Sequence, residues 1–198
     1  MANREEDPKD PSLQAVTVVG AGRGALIVAM FGACLLGWGL GVAKAFNAPV
    51  GAAFGFTALL LWCWSIYTIR KGRHLRKQFP PVPASTRRAI GRSFLLVACI
   101  EVIALAFVFI HSNQIHRPDL GADWAMMVVG LHYLPLAKIF RAPVLGVLGT
   151  LITLWCLLCW ALFRSDSLVI SVALGTGILL WLASAAALLR AREIAQAL

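Results

Sequence analysis

Residues 93–111, SFLLVACIEVIALAFVFIH, decide the fold. About this many apolar residues are needed for a helix to cross a hydrocarbon core roughly 30 Å thick. The run has no apolar–polar alternation, which excludes a strand of a membrane barrel. Five comparable runs flank it, at about 25–43, 49–69, 124–140, 143–163 and 168–189, with 124–140 the shortest. A bilayer interior offers no partner to an open peptide group, so every run is expected to be helical. The expected fold class is therefore all-α integral membrane, a bundle of six transmembrane helices.

The composition points the same way. Hydrophobic residues make up 60% of the 198 positions and charged residues 14%, against roughly half and a quarter in soluble domains. A soluble enzyme or binding domain is excluded on that balance. The five cysteines lie within or beside apolar runs, which excludes a disulfide-stapled secreted domain.

The chain opens with MANREEDPKDPSLQ, polar and proline-bearing. Such a stretch buries too little apolar surface to offset the entropy of ordering. Residues 1–20 are expected to form a disordered cytoplasmic tail and 21–198 the six-helix domain. Glu5, Glu6 and Asp7 stand where a signal peptide would be basic, so no signal peptide is expected.

Lys and Arg set the orientation. Fifteen of the eighteen fall on one side of the expected bundle, eight of them in the loop 70–92, leaving Lys44, Arg117 and Arg164 on the other. The positive-inside bias then puts the N- and C-termini in the cytoplasm. It also accounts for the net charge of +9, and no nucleic-acid module or partner is indicated. The expected partner is the lipid bilayer, with the loop 70–92 able to draw anionic lipid headgroups to the surface. Within that loop PPVP breaks any helix, and Ser85 or Thr86 offers a cap to the next one.

An internal likeness divides the chain. Residues 43–50, AKAFNAPV, and 137–144, AKIFRAPV, agree at six of eight positions and occupy equivalent joints, between spans one and two and between spans four and five. Trp62-Cys63 and Trp155-Cys156 align further along with one residue skipped. This suggests repeats at 21–112 and 120–198 with Lys44, Pro49, Lys138 and Pro143 at the joints. Three helices per copy would invert the second relative to the first, an arrangement common in secondary transporters. The plainer use of these residues is local: proline starts a helix well and lysine snorkels to the interface.

Glu101 is the one acidic residue inside any expected span. An unpaired carboxylate there costs at least about 2.5 kcal/mol, so a partner is required. His132 falls at similar depth on the next, antiparallel span. A carboxylate and an imidazole in contact can share one proton, as a relay or cation-coupling site does. Pro135 removes a donor from the same helix and should free the carbonyl of Leu131 beside His132. Glu101, His132 and Pro135 are thus the candidate substrate or ion site; the alternative is a hydrogen-bonded contact that only joins helices.

Other motifs carry less. VVGAGRGA at 18–25 fits Gly-x-Gly-x-x-Ala, yet it leads into a membrane span with no strand to close a βαβ unit, so no dinucleotide or other cofactor is expected. His111, His116, Asp119 and Asp123 fit no strong zinc template, and no metal site is expected. Cys156 and Cys159 have the redox spacing without its loop, and are read as buried packing. Ala33, Gly37 and Gly41, with Gly51 and Gly55, form small-residue stripes for helix packing inside the bundle or, less simply, in a homo-oligomer.

The segment Gly130 to Ala137, GLHYLPLA, resembles one in bacterial multi-pass membrane proteins of similar length. The resemblance implies the membrane setting and carries no activity. The expected function is that of a small-solute or ion transporter or permease-like protein in the bacterial inner membrane, with Glu101 and His132 as its midplane proton or cation site. A membrane scaffold or sensor with a structural Glu–His pair is the main alternative. An intramembrane enzyme is the least favoured, since one Glu and one His supply too few convergent groups.

Overall fold

The computed structural model describes residues 11–79, 84–140 and 142–198. They form six α-helices and no strand: α1 Pro11–Val42, α2 Ala48–Arg76, α3 Ala84–Gln114, α4 Pro118–Ile139, α5 Pro143–Leu162 and α6 Ser165–Ala197. Each expected span lies on its own helix. Five helices, all but α4, are long and apolar enough to cross a membrane, as an integral membrane protein requires. The 22 residues of α4 would reach about 33 Å at 1.5 Å per residue, so length is not what sets it apart. Asp123, His132, Pro135 and Lys138 lower its mean hydropathy.

The surface matches that setting. On α3, Leu95, Leu96, Val102, Ile103 and Phe107 are each more than 60% exposed. In water so contiguous an apolar face would drive association; against lipid tails it is at rest.

The bundle is organised around α6, which packs on α1, α2, α4 and α5. Against α1 the approach is backbone-close: a Cβ added to Gly32 or Gly177 would lie 3.0 Å from the other's carbonyl oxygen. Close approach lets polar groups bridge the helices. The Trp181 indole donates to the carbonyl of Ala29 at 3.0 Å, and the Ser184 hydroxyl to that of Ala25 at 2.9 Å. Each such bond contributes on the order of 0.6 kcal/mol in a membrane. The largest buried cluster joins Leu148, Ile152, Cys156 and Cys159 of α5 to Leu168, Val172 and Leu180 of α6. Cys156 and Cys159 are thus buried packing residues, free of disulfides like the other three cysteines.

Two boundaries differ from the sequence reading. Residues 11–20, expected in the disordered tail, belong to α1, while 1–10 lie outside the described residues. The cause is tertiary. At the basic end α1, α2 and α6 all run past the apolar core and pack on one another through Val18, Ala191 and Ala195, with Leu75 beside them. Packing of this kind, rather than propensity, holds helix ends in place. The loop 70–92 is likewise shortened from both sides, because α2 continues to Arg76 and α3 begins at Ala84. Its PPVP core and the side chains of Ser85 and Thr86 lie outside the described residues.

The small-residue stripes shift register. Gly41 and Gly55 meet nothing that an added Cβ would touch, whereas Gly32 and Gly39 of α1 sit directly against α6. The segment 18–25 is helical throughout, and of its glycines Gly22 packs against Ile69 and Ser65 of α2 while Gly20 and Gly24 meet nothing within 4 Å.

Candidate functional site

Helix α3 touches α4 and no other helix among the described residues. The two run antiparallel as a hairpin, with a contact at each level. Near the connecting turn Gly121 sits against the buried Ser112, whose hydroxyl donates to the Phe109 carbonyl at 3.2 Å. Next, the His111 ring stacks on Trp124 with centroids 6.0 Å apart and on Phe107 at 5.8 Å. At the far end Phe94 meets Phe140 at 6.1 Å.

Between them lies the candidate pair. His132 Nδ1 is 3.2 Å from Glu101 Oε2, and the two side chains are 11% and 21% exposed. The contact is an ion pair by distance but off the line of a hydrogen bond, so the buried Nδ1 has no hydrogen-bond partner among the described residues. The neighbouring Tyr133 ring meets His132 edge-on at 6.0 Å. Such a contact can pass one proton between carboxylate and imidazole after a small rotation of either side chain. Pro135, one turn on, lies inside α4, which continues through it to Ile139.

The two repeat joints fall between α1 and α2 and between α4 and α5, but their local structures differ. In the first, Lys44 is outside the helix at φ 52°, and the amide of Ala45 reaches back to the Leu40 carbonyl at 3.0 Å. This is the left-handed helix stop that usually takes glycine. Asn47 then caps α2, its side-chain oxygen accepting from the Val50 amide at 3.1 Å, and Pro49 sits in the first turn. In the second, Lys138 is still inside the last turn of α4, and Pro143 opens α5 after Ala142 with no side-chain cap. The residue aligned with Asn47 is Arg141, outside the described residues. The Trp-Cys pairs diverge too. Cys63 is exposed, whereas Cys156 is buried beside Trp155, whose indole donates to the Ser171 carbonyl at 3.1 Å.

Asp123 is a buried ionisable residue that sequence reading missed. Assigned to a polar connection, it is instead in α4 and 2% exposed, and its Oδ1 has no partner among the described residues. The signal was helical spacing: Asp123 shares a face with Met126, Met127 and Gly130, all of which pack toward α5. His116 is exposed at φ 53° in the turn before α4, and the side chain of Asp119 lies outside the described residues. Among the described residues no three His, Cys, Asp or Glu side chains converge as metal ligands.

Two clefts open at the ends of the bundle. One, at the basic end, lies between α2 and α6; the other, at the opposite end, is bordered by Trp38, Arg117, Arg164 and Asp166. Glu101 and His132 line neither. Comparison with known protein families, curated proteins and solved structures finds no match for this chain.

Proposed function

We propose that this chain is a multi-pass transporter or permease-like protein for a small solute or ion, in which Glu101 and His132 take up and release a proton or cation near the bilayer midplane. The observation that carries the reading is the 3.2 Å contact between the acidic residue and the histidine within the apolar parts of α3 and α4. Ionisable groups at that depth are costly and usually mark a pathway. In this reading all six helices cross a bacterial inner membrane with both termini cytoplasmic, as the distribution of Lys and Arg favours. Two inverted halves are supported by the equivalent joints and by helix neighbours: α1 packs on α2 as α4 packs on α5, and α6 packs on α1 as α3 packs on α4.

One observation favours a second reading, a scaffold or sensor. Because α3 has α4 as its one helix neighbour among the described residues, the Glu101–His132 contact also holds α3 in place. Thermal unfolding separates the two. Small metabolites and cations are screened across pH on the wild type, Glu101→Gln and His132→Ala. A ligand at a hundred times its dissociation constant stabilises its target by about 2.7 kcal/mol. A compound that stabilises the wild type in a pH-dependent way and neither variant is the expected result. Variants that melt early, with no compound stabilising the wild type, would assign the pair to helix packing alone.

A further inference from the structure

At the basic end of the bundle a cleft of about 310 Å³ opens between α2 and α6, on a floor of Val18 and Ala191. It exists because α6 offers alanine at 191 and 195 where larger side chains would fill the space, while Gly72 lets α2 close onto Val18 and Val19 of α1. Trp64 and Tyr67 of α2 form one wall, and Lys71 of α2 and Arg192 of α6 stand at the rim. The charge around it is one-sided. Arg70, Lys71, Arg73, Arg76 and Lys77 end α2, and Arg190 and Arg192 lie near the end of α6. Glu193 is the single acidic residue on these two ends.

We infer that this cleft holds one anionic phospholipid, its phosphate between Lys71 and Arg192 and an acyl chain along α2. Three features select a lipid over a soluble anion. Two cations from different helices converge where one phosphate can bridge them. Tryptophan and tyrosine beside them are the residues that settle at headgroup depth. Below the cleft, on the face of α2 that carries Tyr67, Leu60 and Phe56 are exposed and apolar, a track for a lipid tail. Arg192 belongs to the C-terminal helix, so the site is more than the attraction of the loop 70–92 for a charged surface. It uses the membrane setting of the fold and is independent of the Glu101–His132 proposal.

Native mass spectrometry of the full chain, titrated with phosphatidylglycerol and with phosphatidylcholine, tests the site. A basic side chain in direct contact with the lipid phosphate strengthens binding about fivefold, whereas one outside the cleft loses most of that to screening by water and salt. The double variant Lys71→Ala/Arg192→Ala should therefore bind phosphatidylglycerol about thirtyfold more weakly than the wild type. Arg73→Ala/Arg190→Ala removes the same charge outside the cleft and should keep most of the affinity. Equal loss in the two double variants would overturn the site in favour of a diffuse basic surface. Displacement of the lipid by millimolar inorganic phosphate would overturn the lipid in favour of a soluble anion. On the wild type alone, equal affinity for the two lipids would refute the inference whatever the variants do.

Discussion

Gly149→Ala tests the way the candidate site is mounted. A Cβ at Gly149 of α5 would stand 2.5 Å from the Gly130 carbonyl oxygen and 2.9 Å from the Tyr133 Cβ, both on α4. To reach an ordinary contact of 3.4 Å, the Gly130 oxygen must retreat by about 0.9 Å. It is backbone inside a helix, so α4 has to move as a body. Overpacking of this kind costs about 1–3 kcal/mol. Alanine also returns up to about 1 kcal/mol of helix propensity, and a matched control removes that contribution: Gly55→Ala, on the exposed face of α2, where an added Cβ meets nothing within 4 Å. A difference of about 2 kcal/mol between the variants separates their unfolding midpoints by about 4–8 °C for a chain of this size. Differential scanning fluorimetry in one detergent reads it directly. Midpoints that coincide, or a Gly149→Ala protein that melts above Gly55→Ala, would refute the close α4–α5 crossing.

Three further outcomes are expected. Lys44→Gly should stabilise the chain by about 1 kcal/mol, because Lys44 is exposed at φ 52°, where non-glycine residues carry backbone strain; an unchanged midpoint would argue against the left-handed stop. Trp181→Phe keeps a ring to stack on Phe54 but loses the bond to the Ala29 carbonyl, and should lower stability by about 0.6–1.7 kcal/mol, which chemical denaturation in mixed micelles can resolve. Asp123 is 2% exposed and its Oδ1 has no partner among the described residues, an unfavourable place for a carboxylate. Asp123→Asn, which removes the charge and keeps the shape, should therefore raise the unfolding midpoint at neutral pH, and a midpoint that does not rise would contradict the burial of that carboxyl.

The parts of this structure that could be read from sequence are those in which one helix declares itself. Run length placed each expected span on its own helix, and equal depth on adjacent antiparallel runs was enough to suggest that Glu101 meets His132. Features that depend on a third helix were hidden. Residues 11–20 read as a tail because they continue a polar, proline-bearing start, and are held as helix because Val18 packs beside Ala191 and Ala195. Asp123 reads as part of a polar connection until α4 is seen to begin at Pro118 and to turn that carboxyl inward. The small-residue stripe on α1 was legible as a packing surface, but Gly32 and Gly39 meet α6 while Gly41 meets nothing, and only the position of α6 decides which face is used. The joints show the reverse case: near-identical octapeptides yield different helix starts, Asn47 capping α2 with its side chain while Ala142 ahead of α5 has none to offer.

Access of water to Glu101 from each side of the membrane is the measurement to make. The protein is reconstituted in one orientation into phospholipid vesicles, and the carboxyl and carboxylate infrared bands of Glu101 are isolated as the difference between wild type and Glu101→Gln. The pH is then stepped separately outside and inside. A proton or cation site that opens alternately must exchange with both compartments, so the Glu101 bands should respond to either step. Bands that ignore both, or that follow one compartment alone, would contradict a transport site and leave the Glu101–His132 contact as the fastening of α3 to α4.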